Sequence, residues 1–147
     1  MNYLIIMAGI IGTLTMTLFI EVVARVSGKP FRVIHILADM LRFGQEFNHG
    51  QRRRIFFLAT ILHYAIGVGF AFCYNFLLDS KYISSSWGDA VLFGASAGIV
   101  GILGWRLFFV VHPDPPVMNL FQYLTVIWLG HLVFACGLFL HVRFYLH

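Results

Sequence analysis

Four long apolar runs, at residues 3–24, 55–78, 90–111 and 117–140, constrain this chain more than any other feature. A helix rises 1.5 Å per residue, so about 20 apolar residues cross the roughly 30 Å of hydrocarbon in a bilayer, and each run is long enough. Lipid offers no partner to a backbone N–H or C=O, so a crossing segment must be a helix or a strand of a closed barrel. Barrel strands are about ten residues long and alternate in polarity, and nothing here alternates. The expectation is an all-α bundle of four transmembrane helices, one integral membrane domain over residues 1–147. Composition agrees: 60% of residues are hydrophobic and 11% charged, whereas soluble domains carry roughly 25% charged residues to cover their surface.

The first run is not read as a signal peptide. Met1, Asn2 and Tyr3 supply no basic n-region, and the run ends in Glu21 and Arg25 without a small-residue cleavage site. A retained first span is expected. Cys73 and Cys136 lie inside apolar runs with no Cys-x-x-Cys pattern, which argues against dithiol redox chemistry and for two small core residues.

Orientation follows from the basic residues. Seven of the ten Lys and Arg residues, Arg25, Lys29, Arg32, Arg42, Arg52, Arg53 and Arg54, fall in one connection. The positive-inside rule places residues 25–54 in the cytoplasm, with both termini and residues 79–89 outside. Tyr3, Tyr82, Trp87 and Tyr145 then suit the outer aromatic belt; Arg143 in the tail argues against this orientation.

That first connection carries its own element. Arg32, His35, Asp39 and Arg42 recur at helical spacing, with Phe31, Ile34, Leu37, Met40 and Leu41 opposite. An amphipathic helix over residues 30–43, with Pro30 in its first turn and Gly44 ending it, is too short to span and is expected to lie in the membrane interface. Its wet face and Arg52, Arg53 and Arg54 form the expected contact with anionic lipid head groups. Other membrane subunits or a second copy are further candidate partners; nucleic acid is not.

Two stretches look alike: Ala8-Gly9-Ile10-Ile11-Gly12-Thr13-Leu14 and Ala97-Gly98-Ile99-Val100-Gly101-Ile102-Leu103. The second and fourth runs each carry a histidine followed by small residues, His63 with Gly67 and Gly69, and His131 with Ala135 and Gly137. Two helical hairpins in parallel repeat would explain both pairs, the amphipathic helix being an insertion in the first. The small-residue stripes also read simply as close helix packing.

Ionisable groups cost about 2.5–3.5 kcal/mol at the centre of a span, so they usually turn inward and find a partner. Glu21, His63, Arg106 and His131 are such groups here. Three readings stand side by side. One is structural: Glu21 paired with Arg106 or His63, and the second histidine bonded to a threonine or a carbonyl. Another is a ligand or proton site, in a lipid-binding module, an accessory subunit or a small proton-coupled transporter. The third is a b-type haem held by His63 and His131 in an electron carrier. No histidine boxes, intramembrane lysine, phosphate loop, zinc-protease motif or nucleophile arrangement is present, so the balance is against an enzyme.

Gly9-x-x-Gly12-Thr13-x-x-Met16-Thr17, His63-Tyr64-Ala65-Ile66-Gly67 leading to Tyr74, and His131-Leu132-Val133-Phe134 resemble small bacterial four-span inner-membrane proteins of uncharacterised function. The resemblance implies a bacterial inner membrane and a recurring histidine pair. It implies no activity.

The arginine distribution gives a direct test of orientation. A cysteine placed within residues 79–89 should react with an impermeant thiol reagent in intact cells, and one placed beside Arg53 should react only after lysis. The reverse labelling pattern would invert the topology.

Overall fold

The computed structural model describes residues 2–43, 45 and 48–145, Asn2 through its backbone alone. Its helices are α1 Asn2–Ser27, α2 Val33–Met40, α3 His49–Asp79, α4 Trp87–Val111 and α5 Leu120–Tyr145. All but α2 are long and apolar enough to cross a membrane. The chain is therefore an all-α, multi-pass bundle of four long helices and one short one.

Local chemistry sets the helix ends. Asn48 and Gln51 form a reciprocal capping box: each side chain accepts the other's backbone N–H at 2.9 Å. This cap starts α3 well before residue 55 and draws Arg52, Arg53 and Arg54 into its first turns. The 31 residues of α3 extend about 46 Å at 1.5 Å each, so these arginines project beyond a hydrocarbon layer of roughly 30 Å. At its other end Lys81 takes φ 59°. Tyr82 N–H reaches Leu77 O and Lys81 N–H reaches Leu78 O, both at 3.0 Å, the paired bonds of a left-handed helix cap. Ser86 caps α4 by accepting Asp89 N–H at 3.2 Å. Pro115 and Pro116 delay α5 to Leu120, where Asn119 Oδ1 accepts Gln122 N–H at 3.1 Å.

The amphipathic helix is shorter than the expected 30–43. Gly28, at φ +67°, closes α1 in the left-handed region. Pro30 then disfavours helical backbone at Lys29, and the lead into the helix buries Phe31 against Tyr123, with ring centroids 6.3 Å apart. Pro30 therefore stands ahead of α2 rather than in its first turn; Gly44 lies outside the described residues. Arg32, His35 and Asp39 are exposed as expected, but Val33, Ile36, Leu37, Ala38 and Met40 are buried by the other helices. The apolar face of α2 is thus an inner wall of the protein.

Three contacts hold α2 across one end of the bundle. Leu37 and Ala38 pack with Ala59 of α3. His112, just past α4, contacts Met40 O through Nε2 at 2.9 Å, while its Nδ1 accepts Asp114 N–H at 3.1 Å. The amide can only donate, so Nε2 carries the ring hydrogen and gives it to the carbonyl. Lys29 Nζ donates to Gln122 Oε1 at 2.6 Å and ties the approach to α5.

Among the long helices, α5 is central. Over its most apolar stretch 56% is buried, against 22% for α3 and α4, which places those two at the outside. Helix α1 packs on α3 and α5, and α4 packs on α5. Both hairpins of the suspected repeat therefore form, but their exchange is one-sided. Nothing across α3 and α4 matches the long α1–α5 contact. They meet near the far end at Tyr74 and Phe93, 5.0 Å between ring centroids, and α2 joins them at the near end.

Glycines make the tight contacts close. A Cβ on Gly67 would collide with Thr13 Oγ1, whereas one on Gly69, in the same helix, would meet nothing within 4 Å. Gly67→Ala should therefore destabilise the protein by roughly 1–3 kcal/mol through overpacking. Gly69→Ala should be neutral or slightly stabilising, since Ala favours helix over Gly by up to about 1 kcal/mol. Thermal unfolding of both variants in detergent checks the contrast; equal effects would contradict this packing.

Candidate functional site

The gap between α3 and α4 is a cavity of about 350 Å³. Helices α1 and α5 form its back through Thr13, Met16, His131 and Phe134, and α2 closes one end with Val33 and Leu37. On the outward side its border includes Leu62, Ile66 and Val100, which are 40%, 49% and 57% exposed, together with the exposed Gly104. The surface they occupy faces lipid in a bundle of this kind, so the cavity opens sideways into the bilayer.

His63 and His131 both line this cavity. Each lies within two residues of the midpoint of its helix, well inside both. They are 9% and 7% exposed, and no carboxylate lines the cavity among the described residues. An apolar wall without a counter-charge favours the neutral imidazole, with one donor nitrogen and one acceptor.

Neighbouring groups select the tautomers. Thr17 Oγ1 lies 2.7 Å from Thr13 O and 3.1 Å from His63 Nε2. The shorter bond takes the hydroxyl hydrogen, so Thr17 accepts from His63 Nε2–H, and Nδ1 of His63 carries no hydrogen. His131 Nδ1 lies 2.8 Å from Ile127 O; a carbonyl only accepts, so here Nε2 is the bare nitrogen. The structural reading expected a threonine or a carbonyl beside the second histidine; His131 has the carbonyl, and His63 meets Thr17 rather than Glu21.

Shape seats the second ring against α4. A Cβ at Gly101 of α4 would lie 2.6 Å from Cε1 and 3.1 Å from Nε2 of His131. Glycine there gives the ring room against α4. Phe70 meets the His131 ring edge-to-face, with centroids 5.8 Å apart. Thr13 turns its hydroxyl back to Gly9 O at 2.7 Å, so its hydrogen is already used. Trp105 is the remaining lining side chain with an N–H.

Glu21 and Arg106 do not join the histidines. Glu21 bonds Arg25 Nε at 2.7 Å and Arg32 Nε at 3.1 Å, beside a small recess that it shares with Thr17, His35 and Phe56. Arg106 is exposed on α4, with α5 between it and α1. The expected pairing of Glu21 with Arg106 or His63 is replaced because Arg25 sits one turn away on the same helix and Arg32 arrives with α2. Asp39 pairs with Arg42 at 3.3 Å, and His35 packs edge-on to Phe56 at 5.1 Å. Arg52, Arg53 and Arg54 are exposed on the first turns of α3.

Sequence reasoning did not find the cavity walls Phe70, Trp105, Phe108 and Phe134, which look like ordinary apolar residues of a span. It also passed over His112 as the tie to α2. The signal for His112 was its setting ahead of Pro113 and Asp114, a short turn in which a ring nitrogen can meet a nearby amide.

Comparison with known proteins finds no matching family model, no matching curated protein and no matching solved structure.

The tautomers are measurable. In protein labelled with ¹⁵N-histidine, His131 should show a protonated Nδ1 and a bare Nε2, and His63 the opposite. Like tautomers, or a doubly protonated ring at neutral pH, would contradict the assignment.

Proposed function

We propose that this protein is a non-catalytic membrane module that takes a small lipid-soluble ligand into the cavity between α3 and α4. The observation that carries this reading is a largely apolar cavity, open on its outward side between α3 and α4, with two buried histidines on its wall. Small-molecule sites are usually of this kind, mostly apolar with a few placed polar groups, and about 300–1,000 Å³ in volume. The ligand enters from the bilayer, without crossing water. A binding role suits the wall better than catalysis, because among the described residues no carboxylate lines it and the hydroxyls of Thr13 and Thr17 are committed to helix carbonyls.

The same reading places the protein in a bacterial inner membrane with residues 25–54 on the cytoplasmic side. The exposed face of α2 and the arginines of α3 then meet anionic head groups, while α2 seals the cytoplasmic end of the cavity. Such a module can serve as an accessory subunit to another membrane protein.

A b-type haem is the second reading, because two histidines border one cavity. Less favourably, Thr17 already holds His63 Nε2, and the wall offers no cation to haem carboxylates.

Two measurements test the first reading. An apolar aromatic probe such as a long-chain alkylbenzene should raise the thermal midpoint of the detergent-solubilised protein saturably. One-site linkage predicts about 2.7 kcal/mol at 100 times Kd. Gly104→Trp should fold normally, since a Cβ there meets nothing within 4 Å, yet remove the effect by filling the mouth. An intense Soret band in the purified protein would instead assign the cavity to haem.

A further inference from the structure

The histidine hydrogens specify the ligand further, an inference that rests on the binding role just proposed. Two bare nitrogens, His63 Nδ1 and His131 Nε2, follow from the bonds to Thr17 and Ile127. Both residues are more than nine-tenths buried and line the cavity, and among the described residues neither nitrogen has a donor. An acceptor covered by an occupant that brings no donor carries a penalty. Against these two acceptors the lining offers one further N–H, the Trp105 indole. The surrounding surface is aromatic, with Phe70 edge-on to His131 and to Phe134, and Trp105 and Phe108 on α4. An occupant that satisfies this wall brings hydroxyl hydrogens on a flat apolar ring.

We infer that the cavity binds a hydroxylated aromatic amphiphile, a phenol or hydroquinone head with an apolar tail, whose hydroxyl groups donate to His63 Nδ1 and His131 Nε2. The ring lies among the aromatic side chains, and the tail leaves between α3 and α4 into the lipid. The site then distinguishes redox forms without performing a reaction. A hydroquinone brings two donors, whereas the quinone brings only acceptors and leaves both nitrogens unanswered. To donate to a quinone, either ring must give up its present bond to Thr17 or Ile127. Losing even one hydrogen bond weakens binding on the order of tenfold.

The test compares three ligands on the intact protein in lipid nanodiscs, titrated calorimetrically without oxygen: an alkylhydroquinone, the matching alkylquinone and the hydroquinone dimethyl ether. The expected order is hydroquinone tightest, with the other two at least about tenfold weaker. His63→Phe and His131→Phe should each reduce that preference while leaving the ether's affinity nearly unchanged. Equal affinity for all three, or a tighter quinone, would overturn the hydrogen-bond assignment while leaving the cavity as a binding site. Failure of all three to bind would overturn the cavity reading as well. The ligand series on the unsubstituted protein decides the matter even if a histidine variant does not fold.

Discussion

At Gly9 and Gly67 the backbones of α1 and α3 come so close that neither position has room for a Cβ, and at Gly94 α4 meets α5 in the same way. Lipid tails are as apolar as leucine, so no hydrophobic force draws these helices together; van der Waals contact between small residues does. The remaining architecture depends on where that contact is available. Helix α1 has small residues towards both α3 and α5, and α5 lies between α1 and α4. The flanks α3 and α4 present Leu62, Ile66 and Val100 towards their gap. The gap stays open in the middle, where Gly67, Gly101 and Gly104 line it, and Tyr74 with Phe93 closes it at one end.

Helix α2 answers the other end. A short helix alone is marginal in stability, and this one has eight residues. Its position comes from His112 on its last carbonyl, Phe31 against Tyr123, and Glu21 reaching Arg32. Charged pairs therefore gather where α2 packs, and the polar groups nearer mid-membrane are the histidines and threonines. That division is the one lipid demands, since a charge is far more costly to desolvate than a hydroxyl or a neutral imidazole.

The same division explains how far the candidate site was readable in advance. His63 and His131 stood out because ionisable groups are rare in apolar runs, and both reach one cavity. Glu21 and Arg106 stood out on the same ground, yet the cost argument says only that a charge needs a partner or water, not which. Glu21 found its partners locally, one on its own helix and one on α2. Arg106 lies within two turns of the end of α4, from where a long side chain can reach the interface without a carboxylate. The aromatic walls carry no sequence signal, because a phenylalanine facing lipid and one facing a cavity are the same residue in the same kind of run.

By itself, the sequence determined that this chain forms four membrane-length helices and one short amphipathic one. Hydrocarbon leaves the backbone no alternative, and run length decides what spans. It also marked the two mid-span histidines as unusual. Only the tertiary structure decided that the apolar face of α2 packs on protein, that α1–α5 contact has no equal between α3 and α4, and that the histidines border the resulting cavity. Those outcomes turn on side-chain volumes meeting across helices far apart in sequence, and on which nitrogen finds Thr17 or Ile127. Such pairings are settled by distances of a few tenths of an ångström, which composition and periodicity do not encode.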